Sequence, residues 1–323
     1  EGVVSAFGWV CSGDNINGAV HTNGHFHMFG EPEFDGLVTQ ADGINDIIGA
    51  DYRPRGYQAY PTGATNPVFR HGFTPGISKI RLPSDFTQII SAQAALDPLP
   101  FRPGNFPGNW HLNGDTTITF SDNGTMEVTN QTGYGDALIH VENMPAGRAI
   151  FVHGGNLMIS GVIRGQLTVG SSQNVIITDN LTYSSFLPGD TLLPPRIDPN
   201  ADPGDPDVLG IVANESVVVG FDAPFNVTVN GYIMALKEAF YFDAARTPPA
   251  RGTVTHFGGV TTNYDGNIGI FTTVNGVAER KSGYASNIFY DKRLDAEINP
   301  PYFPTLTNDL NFSLYTKISW REL

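Results

Sequence analysis

Length, composition and charge narrow the possible classes of protein. The chain has 323 residues, a formal net charge of −14, only 15% charged residues, 37 glycines and 23 prolines. This composition is typical of many short strands joined by loops, and the negative charge disfavours wrapping of nucleic acid around the whole molecule. The single cysteine, Cys11, excludes an internal disulfide, and no apolar run approaches the ~20 residues that a membrane-spanning helix needs.

The first third of the sequence divides into two parts. Residues 1–41 carry short apolar runs around an Asn-Gly turn, and we predict that they form the first strands of a larger β-structure. Residues 42–110 are rich in Pro, Gly and aromatic residues without a clear strand period, which predicts an irregular flap. One short helix is expected within this flap at about residues 85–96, with Ser84 as its N-cap and Pro98 beyond its end.

Residues 111–305 are predicted to form the β-structured body of the protein. The body opens on a hairpin, predicted because Asn123-Gly124 lies between two alternating segments. Residues 147–242 then contain short apolar runs, rich in β-branched residues and separated by Gly or Asn. Runs of this length indicate strands, and the spacers are too short for helical crossovers.

The predicted fold is all-β, a parallel β-helix (β-solenoid) with the irregular flap attached. Each coil would take about twenty residues, with glycine where the chain turns a corner, and would bury its apolar face only by stacking on the next. Right-handed winding is expected, as for other parallel crossings. A β-sandwich or jelly roll is the alternative. Residues 306–323 are predicted to form a C-terminal strand that covers a sheet edge, because polar and apolar side chains alternate from Asn311 to Trp320.

An Asp- and Pro-rich stretch interrupts the strand pattern of the body. Oxygen-bearing side chains recur in it at nearly alternate positions, an arrangement by which an acidic loop can surround Ca²⁺. Calcium is therefore the one cofactor that the sequence suggests. A solvated linker explains the same residues, because proline stands where a calcium loop needs glycine. The candidate ligands are Asp198, Asn200, Asp202, Asp205 and Asp207.

Part of the flap is basic although the whole chain is acidic. Residues 51–110 contain six Lys or Arg and three Asp, a net charge of +3. Basic side chains interleaved with aromatic ones can stack on single-stranded nucleic acid or on sugar rings. Alternatively, the arginines attach the flap to the acidic body and the aromatic residues form its small core. The candidate ligand-binding residues are Tyr52, Arg53, Arg55, Tyr57 and Arg70.

Catalytic groups are sparse in the sequence. Carboxylates in the body are scattered, with no close pair on alternating strand positions that would suit a glycosidase or lyase. His21, His25 and His27 could supply imidazoles to zinc. An Asn-Gly pair bends the chain between them, however, and no glutamate is placed as a base. We therefore interpret them as turn and strand histidines.

Several short motifs follow one another in a particular order along the chain. They are Ile16–Gly24, Leu82-Pro83, Asn123-Gly124, Gly147–Val152, Gly161–Gly165 and Asp207–Ala213. Together they resemble an uncharacterised bacterial β-solenoid domain that often follows a prepilin-type N-terminus and is similar to the solenoid of the ComZ-type competence pilins. The resemblance covers most of residues 14–240. It implies an extracellular or bacterial cell-surface protein whose partners are other pilus or filament subunits, or further copies of itself.

Three functions from different classes are compatible with these observations. We predict a non-enzymatic surface module, a pilus- or filament-associated subunit or an adhesin, because the sequence has no recognisable catalytic constellation. The first alternative is a DNA-receptor minor pilin that binds DNA through the basic aromatic flap. The second is a polysaccharide lyase or hydrolase of the β-helix type. A surface glycan or DNA is the expected ligand, and no membrane span is expected within the chain.

Overall fold

The structure, a computed structural model of the chain, is all-β in the residues that it describes. The helical segments in this part are 3₁₀ turns, Asp243–Arg246 and one that includes Lys292 and Arg293. No described helix is long and apolar enough to cross a membrane. The predicted all-β class is therefore confirmed. The described residues are 3–7, 9–23, 26–41, 58–60, 66–83, 111–131, 137–143, 148–186, 206–263, 266–274, 277–293, 298–304 and 307–308.

The strands before residue 84 are short, because glycine or a polar turn follows almost every apolar run. None of those described is longer than five residues. They are β1 (Val3–Phe7), β2 (Trp9–Cys11), β3 (Asn15–Asn17), β4 (Val20–Thr22), β5 (His27–Phe29), β6 (Glu33–Phe34), β7 (Val38–Gln40), β8 (Gln58–Tyr60), β9 (Val68–Phe69), β10 (Phe73–Pro75) and β11 (Ile80–Arg81).

The strands after residue 110 are longer, up to ten residues, and richer in β-branched side chains. They are β12 (His111–Asn113), β13 (Thr116–Phe120), β14 (Thr125–Gln131), β15 (Ala137–Asn143), β16 (Arg148–His153), β17 (Leu157–Ile163), β18 (Gln166–Ser171), β19 (Val175–Tyr183), β20 (Val208–Ala213), β21 (Val217–Val219), β22 (Val227–Ala235), β23 (Phe240–Phe242), β24 (Thr253–Thr262), β25 (Asn267–Val274), β26 (Val277–Arg280), β27 (Ala285–Tyr290) and β28 (Thr307–Asn308).

The strands of the body pair in parallel in three separate series, which we call ladders A, B and C. The chain contributes a strand, or half of a strand, to each ladder in turn. Ladder A contains β12, β16, β18, β20 and the second halves of β22 and β24. Ladder B contains β13, the first halves of β17 and β19, and then β21 and β23. Ladder C contains the second halves of β17 and β19, the first halves of β22 and β24, and β27.

Apolar side chains from the ladders share one buried cluster. Residues paired in register along a ladder carry apolar side chains at the same position, so each rung extends a continuous column in the core. Such columns are Ile150, Val169, Ile211 and Ile233 in ladder A, and Ile118, Ile159, Ile177 and Val219 in ladder B.

The N-terminal strands extend ladder C beyond its C-terminal strand. β27 pairs in parallel with β3, so that Ile288 lies opposite Ile16, and β6 and β9 follow. The order along the ladder is thus β24-β27-β3-β6-β9, which differs from the order in the chain. Beside it, β2-β5-β8 and β4-β7-β10 form two further parallel sheets. Segments from near the two ends of the chain therefore meet inside one sheet.

Glycine marks the corner between ladders C and A. Gly231 and Gly258 have φ of 147° and 149°, and a Cβ atom on Gly258 would lie 1.9 Å from the carbonyl oxygen of Gly231. Only glycine fits such a position. The first inward apolar side chain of the next strand comes two residues later. This Gly-x-apolar pattern recurs at Gly18–Val20, Gly36–Val38, Gly165–Leu167, Gly231–Ile233 and Gly258–Val260.

The hairpin at the start of the body is confirmed. β13 and β14 pair antiparallel, the N–H of Gly124 donates to the carbonyl of Ser121 at 3.0 Å, and Gly124 has φ of 83°. The flap, in contrast, is not irregular throughout. β8, β9 and β10 pair in parallel with β5, β6 and β7. Strands of two or three residues are too short to show a period in sequence. The predicted helix at 85–96 lies outside the described residues.

Antiparallel strands hold both described ends of the chain. β1 pairs with β25, which forms a hairpin with β26. β28, the described part of residues 306–323, pairs with β11. The rest of the predicted C-terminal strand lies outside the described residues.

Candidate functional site

Asp207 fixes the point at which the chain enters β20. Its buried carboxylate accepts hydrogen bonds from the backbone N–H of Gly165 at 2.6 Å and of Ser185 at 2.7 Å, and from the Ser184 hydroxyl at 3.0 Å. Ser184 and Ser185 precede the Asp-rich stretch and Asp207 ends it. These hydrogen bonds therefore hold the two sides of that stretch together.

The predicted calcium ligands are described only in part. Asp198, Asn200, Asp202 and Asp205 lie outside the described residues. Both carboxylate oxygens of Asp207 already accept hydrogen bonds, which the side chain would have to give up or share in order to bind a cation. In the described ranges, no group of three or more His, Cys, Asp or Glu side chains is arranged to hold a metal ion. The calcium site stays a prediction.

Arg293 attaches the C-terminal segment to the same region. Its guanidinium donates to Asp291, with the shortest bond at 2.7 Å, and to the carbonyl of Asp207 at 3.1 Å. It also lies 5.2 Å from the ring centroid of Tyr183 and 5.9 Å from that of Phe186. Burial lowers the pKa of Arg293, but the hydrogen bonds and charge of Asp291 outweigh burial and raise it overall. The side chain therefore stays charged within a nearly buried ion pair, an arrangement typical of a structural clamp.

Of the flap residues predicted to bind a ligand, Arg70 is the one that the structure describes. Tyr52, Arg53, Arg55 and Tyr57 lie outside the described residues. Arg70 follows β9, and its guanidinium donates to the Glu33 carboxylate, on the neighbouring strand β6, at 2.7 Å. The two side chains are 52% and 45% exposed. An exposed pair of this kind contributes little to stability, so Arg70 remains accessible to an anionic partner.

Of the three histidines weighed as zinc ligands, the structure describes the side chain of His21 alone. The Nδ1 of His21 lies 3.0 Å from the hydroxyl of Thr39, and its Nε2 lies 3.0 Å from the amide oxygen of Asn23. Burial lowers the pKa of His21. His25 and the side chain of His27 lie outside the described residues. His21 is therefore a hydrogen-bonded structural residue.

A loop between β21 and β22 presents two exposed phenylalanines. We call residues 220–226 the Phe loop. Phe221 is 47% exposed and Phe225 is 65% exposed, which is unusual for large apolar side chains. This loop was not predicted from the sequence. The available signal was its pair of phenylalanines beside an Asp and a Pro, since such a turn cannot continue the strand pattern.

Arg251 holds the Phe loop in place. Its guanidinium donates to the carbonyl of Phe221 at 2.6 Å and to that of Ala223 at 2.9 Å, and to the hydroxyl of Tyr284 at 2.8 Å. It also lies 5.1 Å from the centroid of the Phe221 ring, at cation–π distance. Tyr284 is fully buried. The exposed rings are therefore carried by a loop that is bonded to the core.

The comparisons with known proteins find no matching family model, no similar curated protein and no similar solved structure.

Proposed function

We propose that the protein is a non-enzymatic extracellular surface module, a pilus- or filament-associated subunit or an adhesin of a bacterial cell surface. We also propose that ladders A, B and C are the faces of a right-handed β-solenoid. Parallel pairing and the fixed cyclic order in which the chain visits the ladders support this architecture. A stack of this kind is a stiff scaffold because each inner rung is held by neighbours on both sides.

The Phe loop is the observation that carries the functional proposal. Large apolar rings kept in solvent on a loop bonded to the core are typical of a contact with another macromolecule. The preferred partner is a further subunit of the same surface assembly, because phenylalanine rings suit a protein contact better than a charged glycan.

The described ionisable groups with strongly shifted pKa values support a structural role. Tyr183, Tyr232 and His256 are all buried. Shifted groups of an enzyme usually line an open cleft, where a substrate can reach them. The resemblance of the sequence motifs to a pilin-associated domain favours the same function.

Electron microscopy of the extracellular fraction of the producing cell tests the proposal. We expect filaments or surface fibres that contain this chain. Treatment with a calcium chelator should dissolve them if the stretch from Asp198 to Asp207 binds calcium within the assembly. Free monomers without surface association would contradict the filament function.

Substitution of the Phe loop tests whether its rings make the contact. The double variant Phe221→Ser/Phe225→Ser should lose surface association but keep an unfolding midpoint close to that of the parent chain, because neither ring is buried. Val68→Ser is the matched control, since Val68 is 38% exposed on another part of the molecule. Undiminished assembly of the double variant would rule out the Phe loop as the contact.

A further inference from the structure

Two loops protrude side by side where the chain passes from ladder B to ladder C. In β19 this passage takes only residues 178–180, because Ile177 belongs to ladder B and Leu181 to ladder C. In the next two strands of these ladders the same passage is longer. It runs through the Phe loop and then through residues 243–253, which we call the Arg loop. The two loops therefore extend beyond the corner that β19 turns.

The Arg loop holds the Phe loop at several points. The N–H of Gly252 donates to the carbonyl of Phe225 at 3.0 Å, and the N–H of Thr253 donates to the amide oxygen of Asn226 at 3.0 Å. Arg251, also in the Arg loop, supplies the contacts with Phe221 and Ala223 described above. The two loops thus form a single patch whose backbone is fixed.

Both loops expose apolar side chains. In the Phe loop these are Phe221 and Phe225, at 47% and 65% exposure. In the Arg loop Pro248 and Pro249 are exposed. Rings kept in solvent on a fixed backbone lose little conformational freedom when a partner covers them, which favours a protein contact.

The charge of the patch differs from that of the whole chain. A net charge of −14 makes two copies of the chain repel each other. The patch is locally neutral: Asp222 gives the Phe loop a charge of −1, and Asp243, Arg246 and Arg251 together give the Arg loop +1. A second copy can therefore approach this patch without meeting a surface of its own sign.

The two charges also specify how a second copy would be oriented. The loops belong to neighbouring strands of the same ladders, about 4.8 Å apart. A two-fold axis perpendicular to the direction in which the strands follow one another reverses their order in the partner. The negative Phe loop of each copy then faces the positive Arg loop of the other. Side-by-side copies in the same direction would instead bring Asp222 close to the partner's Asp222.

We propose that two copies of the chain bind each other through the Phe and Arg loops around such a two-fold axis. The contact is self-complementary, as a closed symmetric dimer requires. It places Asp222 of each copy near Arg246 of the other, and both side chains are exposed. The proposal rests on the proposed function, because it names the subunit that the Phe loop contacts.

Sedimentation of the purified full-length chain over a wide range of concentrations tests whether the dimer forms. We expect a reversible dimer. Its dissociation constant should rise by about a hundredfold in Phe221→Ser/Phe225→Ser, because buried aromatic rings dominate the energy of such contacts. Val68→Ser, the matched control on another part of the molecule, should leave the dissociation constant unchanged.

A charge swap tests the orientation. Asp222→Arg alone and Arg246→Asp alone should each raise the dissociation constant by about tenfold, because each places like charges opposite one another twice in the dimer. The double variant Asp222→Arg/Arg246→Asp should return to within about threefold of the parent, because the pairs are restored with their signs exchanged. Glu127→Arg, at an exposed position of β14, is the control for a change of net charge and should not weaken the dimer.

Three results would overturn the proposal: monomers at every concentration, a dimer that the loss of both rings leaves intact, or single charge variants that the double variant does not rescue. These outcomes are separable from failure of the surface function. Surface fibres built from a chain that is monomeric in solution would contradict the dimer alone. A dimer that never associates with the cell surface would contradict the surface function alone.

Discussion

His256 is a polar side chain placed inside the apolar core. It is fully buried, its neighbours along ladder C are Val229 and Ile288, and the Phe240 ring lies 6.2 Å away. Neither ring nitrogen has a hydrogen-bond partner of normal geometry within the described part of the protein. Burial lowers the pKa of His256 to about 4, against the opposing effect of nearby backbone groups at Gly259 and Val229. The core therefore holds this imidazole in its neutral form.

Acidification should destabilise the fold through His256. In the unfolded chain a histidine takes up a proton near pH 6.5, whereas folded His256 does so only near pH 4. Between these values the unfolded state binds more protons than the folded state. The free energy of unfolding therefore falls as the pH is lowered, by about 3 kcal/mol in total. The stabilisation is complete above pH 6.5 and lost as the pH approaches 4. Urea denaturation over this range measures the slope.

The variant His256→Leu isolates this contribution. Leucine matches the apolar side chains beside this position. The stability of the variant should therefore depend less steeply on pH than that of the parent chain. His71→Gln is the control, because His71 is 65% exposed and its loss should leave the slope nearly unchanged. The same slope in His256→Leu as in the parent would show that the buried imidazole does not control the acid response.

Two adjacent glycines should differ sharply in their tolerance of alanine. Gly258 has φ of 149°, and an added Cβ would lie 1.9 Å from the carbonyl oxygen of Gly231. At Gly259 the nearest atom, in the Tyr232 ring, would be 3.5 Å away. We expect Gly258→Ala to cost at least ~2 kcal/mol and Gly259→Ala less than about 1 kcal/mol, by denaturant unfolding. Similar costs at both positions would argue against the close approach of strands at this corner.

At the scale of elements, a column of polar side chains supports the corner between ladders A and B. The carboxylate of Asp115 accepts from the N–H of Asn156 at 2.7 Å, and the amide oxygen of Asn156 accepts from the side-chain amide of Asn174 at 3.0 Å. The amide oxygen of Asn174 in turn accepts from the N–H of Ser216 at 3.1 Å. Each side chain thus satisfies backbone or amide groups of the next rung, where the turn breaks the ladder.

The sequence predicts the elements whose signal is local. The hairpin at Asn123-Gly124 could be predicted because the turn residues and the flanking alternation lie together. β9, with two residues, could not, because its only signal is Val68 and Phe69 among polar neighbours. The corner glycines are intermediate: Gly231 and Gly258 are visible in the sequence, but their shared role becomes clear only when they are seen stacked in the structure.

At the scale of the whole molecule, the pairing of distant segments could not be predicted. Most inward positions of the ladders carry similar Val, Ile, Leu or Phe side chains, so nothing in the local sequence specifies that β3 follows β27. The same holds for the Phe loop, whose support by Arg251 joins residues 30 positions apart. The predicted order, with residues 1–41 as the first coil, assumed that neighbours in the chain are neighbours in the stack. In ladder C the assumption holds between β3 and β6, which follows it in the chain, but not between β3 and β27.

The central claim is that segments from both ends of the chain meet at the β27–β3 junction. Asn15 and Asn287 lie opposite each other there, with their side-chain amides hydrogen-bonded at 3.1 Å. In a Cys11→Ser background, Asn15→Cys with Asn287→Cys should form an intramolecular disulfide in high yield, because parallel neighbours lie ~4.8 Å apart.

The matched control places the second cysteine one strand further away. Asn15→Cys with Thr255→Cys should cross-link poorly, because Thr255 lies on the far side of Asn287 along ladder C, about 9.6 Å from Asn15. Mass spectrometry of the oxidised monomers measures both yields. A high yield for the first pair alone is the predicted result. Equal cross-linking in the two variants, or none in either, would contradict the pairing of β27 with β3.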